Sequence, residues 1–180
     1  MTVSDGIITS IVTTNKENMG QTSKTPSETS IEMREMVMPN HTNSHGTVFG
    51  GTVMSWIDIA AAMVAARHCS NPVVTAHIDD IDFIAPIKMG YHVLIQASLN
   101  YVGRTSMIVG VKVTSENPYT GEVRTTTKAY LTFVALDDDG RPVVVPPLKP
   151  ESEDEIRRYE NAKKRVQMKK DVRKTLQNKK

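Results

Sequence analysis

Apolar and polar positions alternate in two different rhythms along this chain, and the change of rhythm divides it into elements. Ile31, Met33 and Val37 recur at every second or fourth position around Glu35, a short strand closed by Pro39. A polar loop, NHTNSHGTVFGG, follows. The segment from about Gly50 to His68 is then apolar on almost every side, which predicts a helix buried nearly all round. After Pro72 the period drops to two. Val73–Ile84 reads as a strand carrying an irregular acidic stretch and stopped by Pro86; Tyr91–Val102 places Val93, Ile95, Ala97 and Leu99 on one face. Gly103-Arg104 is a tight turn. Thr105–Ser115 alternates through Met107, Val109, Val111 and Val113, and ENPYTGE connects it to Val123–Leu136, where Thr127, Ala129, Leu131 and Phe133 share a side.

Strand, helix and four strands joined by short turns imply an antiparallel sheet whose face is covered by the one long helix. The predicted class is α+β: a curved antiparallel sheet wrapped around a central helix, the hotdog architecture. Beyond Pro150, acids in the first turn and bases toward the end suit a second, solvated C-terminal helix with a thin apolar stripe of Ile156, Tyr159, Ala162 and Val166. The expected organisation is a disordered polar extension over 1–29, one domain over 30–150 and a basic helical tail over 151–180. The methionines are expected mostly in the core.

Composition narrows the setting. The 22 basic and 20 acidic residues nearly balance, so nothing points to nucleic acid. The tail is different: residues 151–180 hold 11 Lys/Arg against 6 Asp/Glu, which suits a phosphorylated ligand. A single cysteine, Cys69, permits no internal disulfide and suits a reducing, cytoplasmic setting. Val53–Ala66 is interrupted by Ser55 and Asp58 and is too short for a comfortable membrane span, so no membrane partner is expected.

Asp58 is the residue that does not fit a purely structural helix. Its neighbours at three and four positions are Met54, Ser55, Ala61 and Ala62. A buried carboxylate there must be hydrogen-bonded, lie in a wet cleft or carry a raised pKa, each typical of a functional acid or base; an Asp fixing helix packing is the alternative. Gly46, Gly50 and Gly51 let backbone N–H groups approach a ligand, and the last two open the helix, where free N–H groups and the positive dipole end favour an oxyanion. The spacing is neither GxGxxG nor a phosphate-binding P-loop. Together the features suggest acyl transfer, and a thioester, whose thiolate leaves readily, needs neither a Ser–His pair nor a metal. His41 and His45 lack an HExxH setting. His77 with Asp79, Asp80 and Asp82 is divided between strand faces, and Cys69 reads as a packing residue.

The runs MVMPNHTNSHGTVFGGTVMSWIDIAAAMVA, VVTAHIDDIDFIAPIKMG, YVGRTSMIVGVKVTSENPYTGE and AYLTFVALDDDGRPVVVPPLKP together resemble the hotdog-fold acyl-CoA hydrolases of the YciA and brain acyl-CoA hydrolase type, over about Ile31 to Arg165. The resemblance implies an acyl-CoA substrate, cleaved to fatty acid and free coenzyme A, with no cofactor beyond the coenzyme A of the substrate. It makes Asp58 the catalytic acid, Asn43 a loop residue acting from the opposite subunit, and Gly51 the oxyanion-binding N–H. Arg104, Thr105 and Ser106 match the turn near coenzyme A, and Thr75 lies beside the pantetheine path. Arg157, Arg158, Lys163 and Lys164 of the tail would meet the phosphates or a neighbouring subunit. The family pattern also implies dimers assembling into hexamers. An acyl-CoA sensor without turnover and a hotdog dehydratase are the competing readings. The first would need a DNA-binding module, the second a catalytic His such as His45 or His77.

Overall fold

Strict alternation in four long segments builds the sheet, as the pattern demands. The computed structural model describes residues 22–177. Its elements are helix α1 (Pro26–Thr29), strand β1 (Ile31–Met36), a 3-10 turn (Pro39–His41), helix α2 (Gly50–Cys69), strands β2 (Val73–Phe83), β3 (His92–Val102), β4 (Ser106–Glu116) and β5 (Val123–Ala135), and helix α3 (Glu153–Gln177). The five strands form one antiparallel sheet in the order β1-β3-β4-β5-β2. The hotdog architecture expected from the sequence is what the chain adopts.

One set of alternate residues (Ile95, Leu99, Val109, Val113, Leu131, Phe133) meets Ile57, Ala60, Ala61 and Val64 of α2 in the single core. Alanines at the contact let the helix lie close to the curved sheet. The other sheet face carries α3, where Tyr159 packs on Tyr101 at 5.4 Å and the Arg165 guanidinium stands 4.2 Å above the Tyr130 ring. On this face Asn100, at a bulge in β3, lies over Gly110, where any Cβ would come within 2.3 Å of the amide nitrogen.

Three expectations need correction. First, α2 is not buried all round: Met54, Ile59 and Met63 are 40%, 48% and 47% exposed, all on the face turned away from the sheet. Second, the methionines are not mainly core, because Met36, Met38, Met89 and Met168 are exposed as well. Third, the polar extension is built from residue 24 onward, while residues 1–21 lie outside the described residues. Lys24 Nζ donates to the carbonyls of Arg67 and His68, both at 2.8 Å, at the end of α2, and Thr25 and Glu28 form a capping box on α1. Glu155 accepts from the N–H groups of Ser27 (3.2 Å), Glu151 (2.9 Å) and Ser152 (3.0 Å), tying α1 to the start of α3. Burial raises the Glu155 pKa, but these backbone donors outweigh it and hold the carboxyl below its usual range. Within the α3 stripe Ala162 is buried, whereas Ile156 is exposed and Glu155 takes an inner place.

Candidate active site

The outer face of α2 and the edge strand β2 meet at Asp58. Asp58 is half-buried, and Thr75 Oγ1 of β2 donates to its Oδ1 at 2.7 Å. Of the states expected for this carboxylate, the structure shows the hydrogen-bonded one, half-buried on an open, largely apolar face. Thr75, expected beside the pantetheine path, orients the carboxylate through this bond. Its position is set by the course of β2, whose register against β5 shifts between Thr75 and His77.

The loop before α2 is a compact turn. Thr42 bridges Val48, Asn43 N donates to Thr47 O at 2.8 Å, and Gly46 takes φ +70°, a left-handed conformation that favours glycine. Three donors converge on Asn43 Oδ1: His45 N (2.9 Å), Thr47 N (3.4 Å) and Thr47 Oγ1 (3.3 Å). With its oxygen occupied, Asn43 presents its NH2 as the group open to a ligand. The His41 ring stands edge-on to Trp56 at 5.2 Å, and Phe49 N donates to His41 O at 2.9 Å, which anchors the loop to the first turns of α2. Phe49, at the N-cap, offers no side-chain cap, so the N–H groups of Gly50 and Gly51 point out of the helix end without one. A Cβ at Gly51 would lie 2.7 Å from the exposed Phe49 ring, which would have to swing aside.

Arg104, Thr105 and Ser106 form the β3–β4 turn and border a cleft of about 510 Å3 with β2 and α3. The α3 cations in that cleft are Arg165, Lys169 and Lys170. Arg165 pairs with Asp80, and Lys169 pairs with Asp79, which also meets His77 Nε2 at 3.2 Å and Thr132 Oγ1 at 3.2 Å. The four tail residues expected to meet phosphates or a neighbouring subunit do not border this cleft. Arg157 and Arg158 pair with Asp154 in the first turns of α3, Arg158 borders a different hollow beside Glu32 and Ser98, and Lys163 and Lys164 are exposed. Among the described residues no group of three or more His, Cys, Asp or Glu is placed to hold a metal. No described helix is long and apolar enough to cross a membrane. Cys69 is a free, buried thiol whose pKa burial raises, as suits packing.

Known proteins resemble this arrangement closely. Residues 45–122 match the model of the Thioesterase superfamily. A Bacillus subtilis protein named "Uncharacterized acyl-CoA thioester hydrolase YkhA" is 43% identical over 139 residues, covering 77% of this chain and 81% of its own. A hexameric acyl-CoA thioesterase in its apo form superposes with a TM-score of 0.81 at 39% identity, covering 84% of this chain and 97% of that one. An acyl-CoA hydrolase from Staphylococcus aureus, solved with butyryl coenzyme A, coenzyme A and coenzyme A disulfide, gives a TM-score of 0.79 at 38% identity over 87% of this chain and 95% of that one. That enzyme has also been solved with an asparagine, an aspartate or a threonine replaced by alanine. Those three positions are spaced 15 and 17 residues apart, the spacing of Asn43, Asp58 and Thr75 here. Such identity over most of both chains places the protein in the thioesterase superfamily, among the hotdog-fold acyl-CoA hydrolases.

Proposed function

We propose that the protein hydrolyses acyl-CoA thioesters at a site shared between two copies of the chain. The observation that carries this is Asp58, a carboxylate fixed by Thr75 on an open apolar face. Asp58 takes a proton from water while the water oxygen bonds to the thioester carbonyl carbon. The tetrahedral oxyanion is held by the Gly51 N–H and the Asn43 NH2. Collapse breaks the C–S bond, giving the fatty acid and the coenzyme A thiolate, which takes up the proton. Direct attack by Asp58 would form an anhydride that water then opens, and single-turnover hydrolysis in 18O-water separates the two. Only direct attack leaves the label on Asp58.

Helix geometry supports a site shared by two chains. Gly51 and Asp58 are seven residues apart on one helix, about 10 Å of rise, whereas one carbonyl group must touch both within about 3 Å. A two-fold axis passing near Met54 and Ser55 would bring Gly51 and Asn43 of one copy to Asp58 and Thr75 of the other. The same packing would cover Met54, Ile59 and Met63, whose exposure a single chain leaves unexplained. Dimers built this way would assemble further into a hexamer, as in the solved relatives. The Arg104 cleft, with Arg165, Lys169 and Lys170, supplies charge for the coenzyme A phosphates.

The deciding experiment is thiol release from acyl-CoAs of increasing length by the wild type and Asp58→Ala. Turnover that vanishes in the variant, with the fold intact, supports the reading. Binding without turnover in the wild type at every chain length would make the protein a sensor instead.

A further inference from the structure

On the sheet face turned away from α2, one row of side chains crosses four strands. Glu32 of β1, Gln96 of β3, Lys112 of β4 and Lys128 of β5 stand opposite one another in register. The row is polarised. At one end Gln96 Nε2 donates to Glu32 Oε1 at 2.7 Å; at the other the two exposed lysines lie side by side. Like charges directly opposite on neighbouring strands repel, and among the described residues neither lysine has an ion-pair partner. The next row, Ser98, Gly110 and Tyr130, lacks a side chain at its centre. There, between the sheet, α1 and α3, lies a hollow of about 350 Å3 bordered by Gln96, Ser98, Asn100, Lys128 and Arg158.

Asn100 is the group that a packed wall does not explain. It is 4% exposed and its amide lies over Gly110, yet its Oδ1 has no hydrogen-bond partner among the described residues. A buried amide oxygen without a partner is costly, and so is an uncompensated lysine pair. One ligand relieves both. We infer that this hollow binds a small phosphorylated polyol of the sugar-phosphate class, with its phosphate on Lys128, Lys112 and Arg158 and its hydroxyls on Asn100, Gln96 and Ser98. Two adjacent ammonium groups faced by a guanidinium suit a doubly charged anion. Arg158 meets Asp154 at 3.4 Å and shares it with Arg157, so it keeps donors for a ligand. Hydroxyls suit the other end because they both donate and accept, which satisfies an amide turned either way. The two acids at the rim are already engaged: Glu32 by Gln96, and Glu155 by three backbone N–H groups. The volume, at the low end of the range of about 300 to 1,000 Å3 for small-molecule pockets, suits one sugar ring and its phosphate. This hollow and the Arg104 cleft have no lining residue in common, and α3 borders both, through Arg158 here and through Arg165, Lys169 and Lys170 there. The inference therefore stands independently of the thioesterase reading.

The test is isothermal titration calorimetry of the full-length protein with glucose 6-phosphate, ribose 5-phosphate and glycerol 3-phosphate, beside glucose and inorganic phosphate. At least one phosphorylated polyol is expected to bind tenfold or more tightly than both controls. Lys128→Ala and Asn100→Ala should each weaken that binding by tenfold or more, as the loss of a charge-assisted or buried hydrogen bond predicts. Lys164→Ala, which removes the same charge elsewhere on α3, should leave it unchanged, and saturating coenzyme A should not displace the ligand. Lys128 is exposed, so its variant keeps the fold, which a melting temperature within a few degrees of wild type checks. Binding of none of the three polyols overturns the inference. So does an affinity unmoved by both hollow variants, or displacement by coenzyme A, which would put the ligand in the cleft. Inorganic phosphate binding as tightly as the polyols would mean an adventitious ion only.

Discussion

If Asp58 and Asn43 act on one substrate from different chains, two dead variants should repair each other. Asp58→Ala removes the base from both sites of a dimer, and Asn43→Ala removes the amide donor from both. A mixed dimer places both lesions in one site and leaves the other intact. Random pairing of equal amounts makes half of the dimers mixed, each with one of two sites working, so about a quarter of wild-type activity returns. The structural basis is the rise along α2: about 10 Å separates Gly51 from Asp58, and the Asn43 loop is tied to the Gly51 end by Phe49 N–His41 O at 2.9 Å and by the His41–Trp56 contact. Both substituted positions are short of full burial, so each variant should fold. The assay is thiol release by co-expressed, differently tagged chains purified through both tags; nearly every hexamer carries both tags, so the expected recovery in that population is still about a quarter of wild type. Activity no greater than the sum of the two separate variants would refute the shared site and require each chain to act alone.

Three further outcomes follow from named contacts. Thr47→Val removes the Oγ1 donor that helps hold the Asn43 amide. A neutral hydrogen bond of about 1 kcal/mol predicts a fall in kcat of about fivefold, rescue by Thr47→Ser, and no further loss in an Asn43→Ala background, read by a double-mutant cycle. Lys170→Ala with Arg104→Ala, both in the cleft beside the β3–β4 turn, should raise KM for acyl-CoA severalfold with kcat little changed. The wild-type KM should also rise with ionic strength more steeply than that of the double variant. His68 is fully buried, with Nε2 2.9 Å from Pro146 O, and burial lowers its pKa below the free value of 6.5. The unfolded chain thus binds the proton first. The stability from neutral His68 is complete above that unfolded value and is lost as pH falls toward the folded one, with a limiting slope of about 1.4 kcal/mol per pH unit. Chemical denaturation between pH 7 and 5 should show this slope in the wild type and a smaller one in His68→Gln.

The strands were readable to within a residue or two because alternation on a sheet with one helix-covered face is a direct image of burial, and the turns at Gly103 and Gly121 punctuate it. The shifts within β2 showed only as an irregular acidic stretch, and the bulge at Asn100 left no trace: one inserted residue flips the phase of alternation for too short a stretch to register. Residues 24–29 were missed for another reason. Lys24 and Glu155 hold them by hydrogen bonds to backbone, and a periodicity of apolar residues cannot detect that kind of order.

The site divides along the same line. Asp58 stood out because a carboxylate in an apolar helix is chemically conspicuous, but hydropathy could not distinguish a face covered by the chain's own sheet from one left for a second copy. Both select Met, Ile and Ala, which is why α2 read as buried all round. The cations that border the cleft are a different case, and part of the signal for them was present. Ala162 and Val166 define the inward face of α3, and at 3.6 residues per turn Lys169 lies on that face with Arg165 and Lys163 on its two flanks, whereas Lys164 turns away from it. The acids they meet, Asp79 and Asp80, sit in the irregular stretch of β2 that alternation divides between strand faces. A basic helix beside an acidic strand edge is a pairing, and the cations bordering the cleft proposed for coenzyme A are those that this helix brings to it. Charge on α3 should therefore be weighed by helical face, where Arg165, Lys169 and Lys170 come together, rather than by position along the tail.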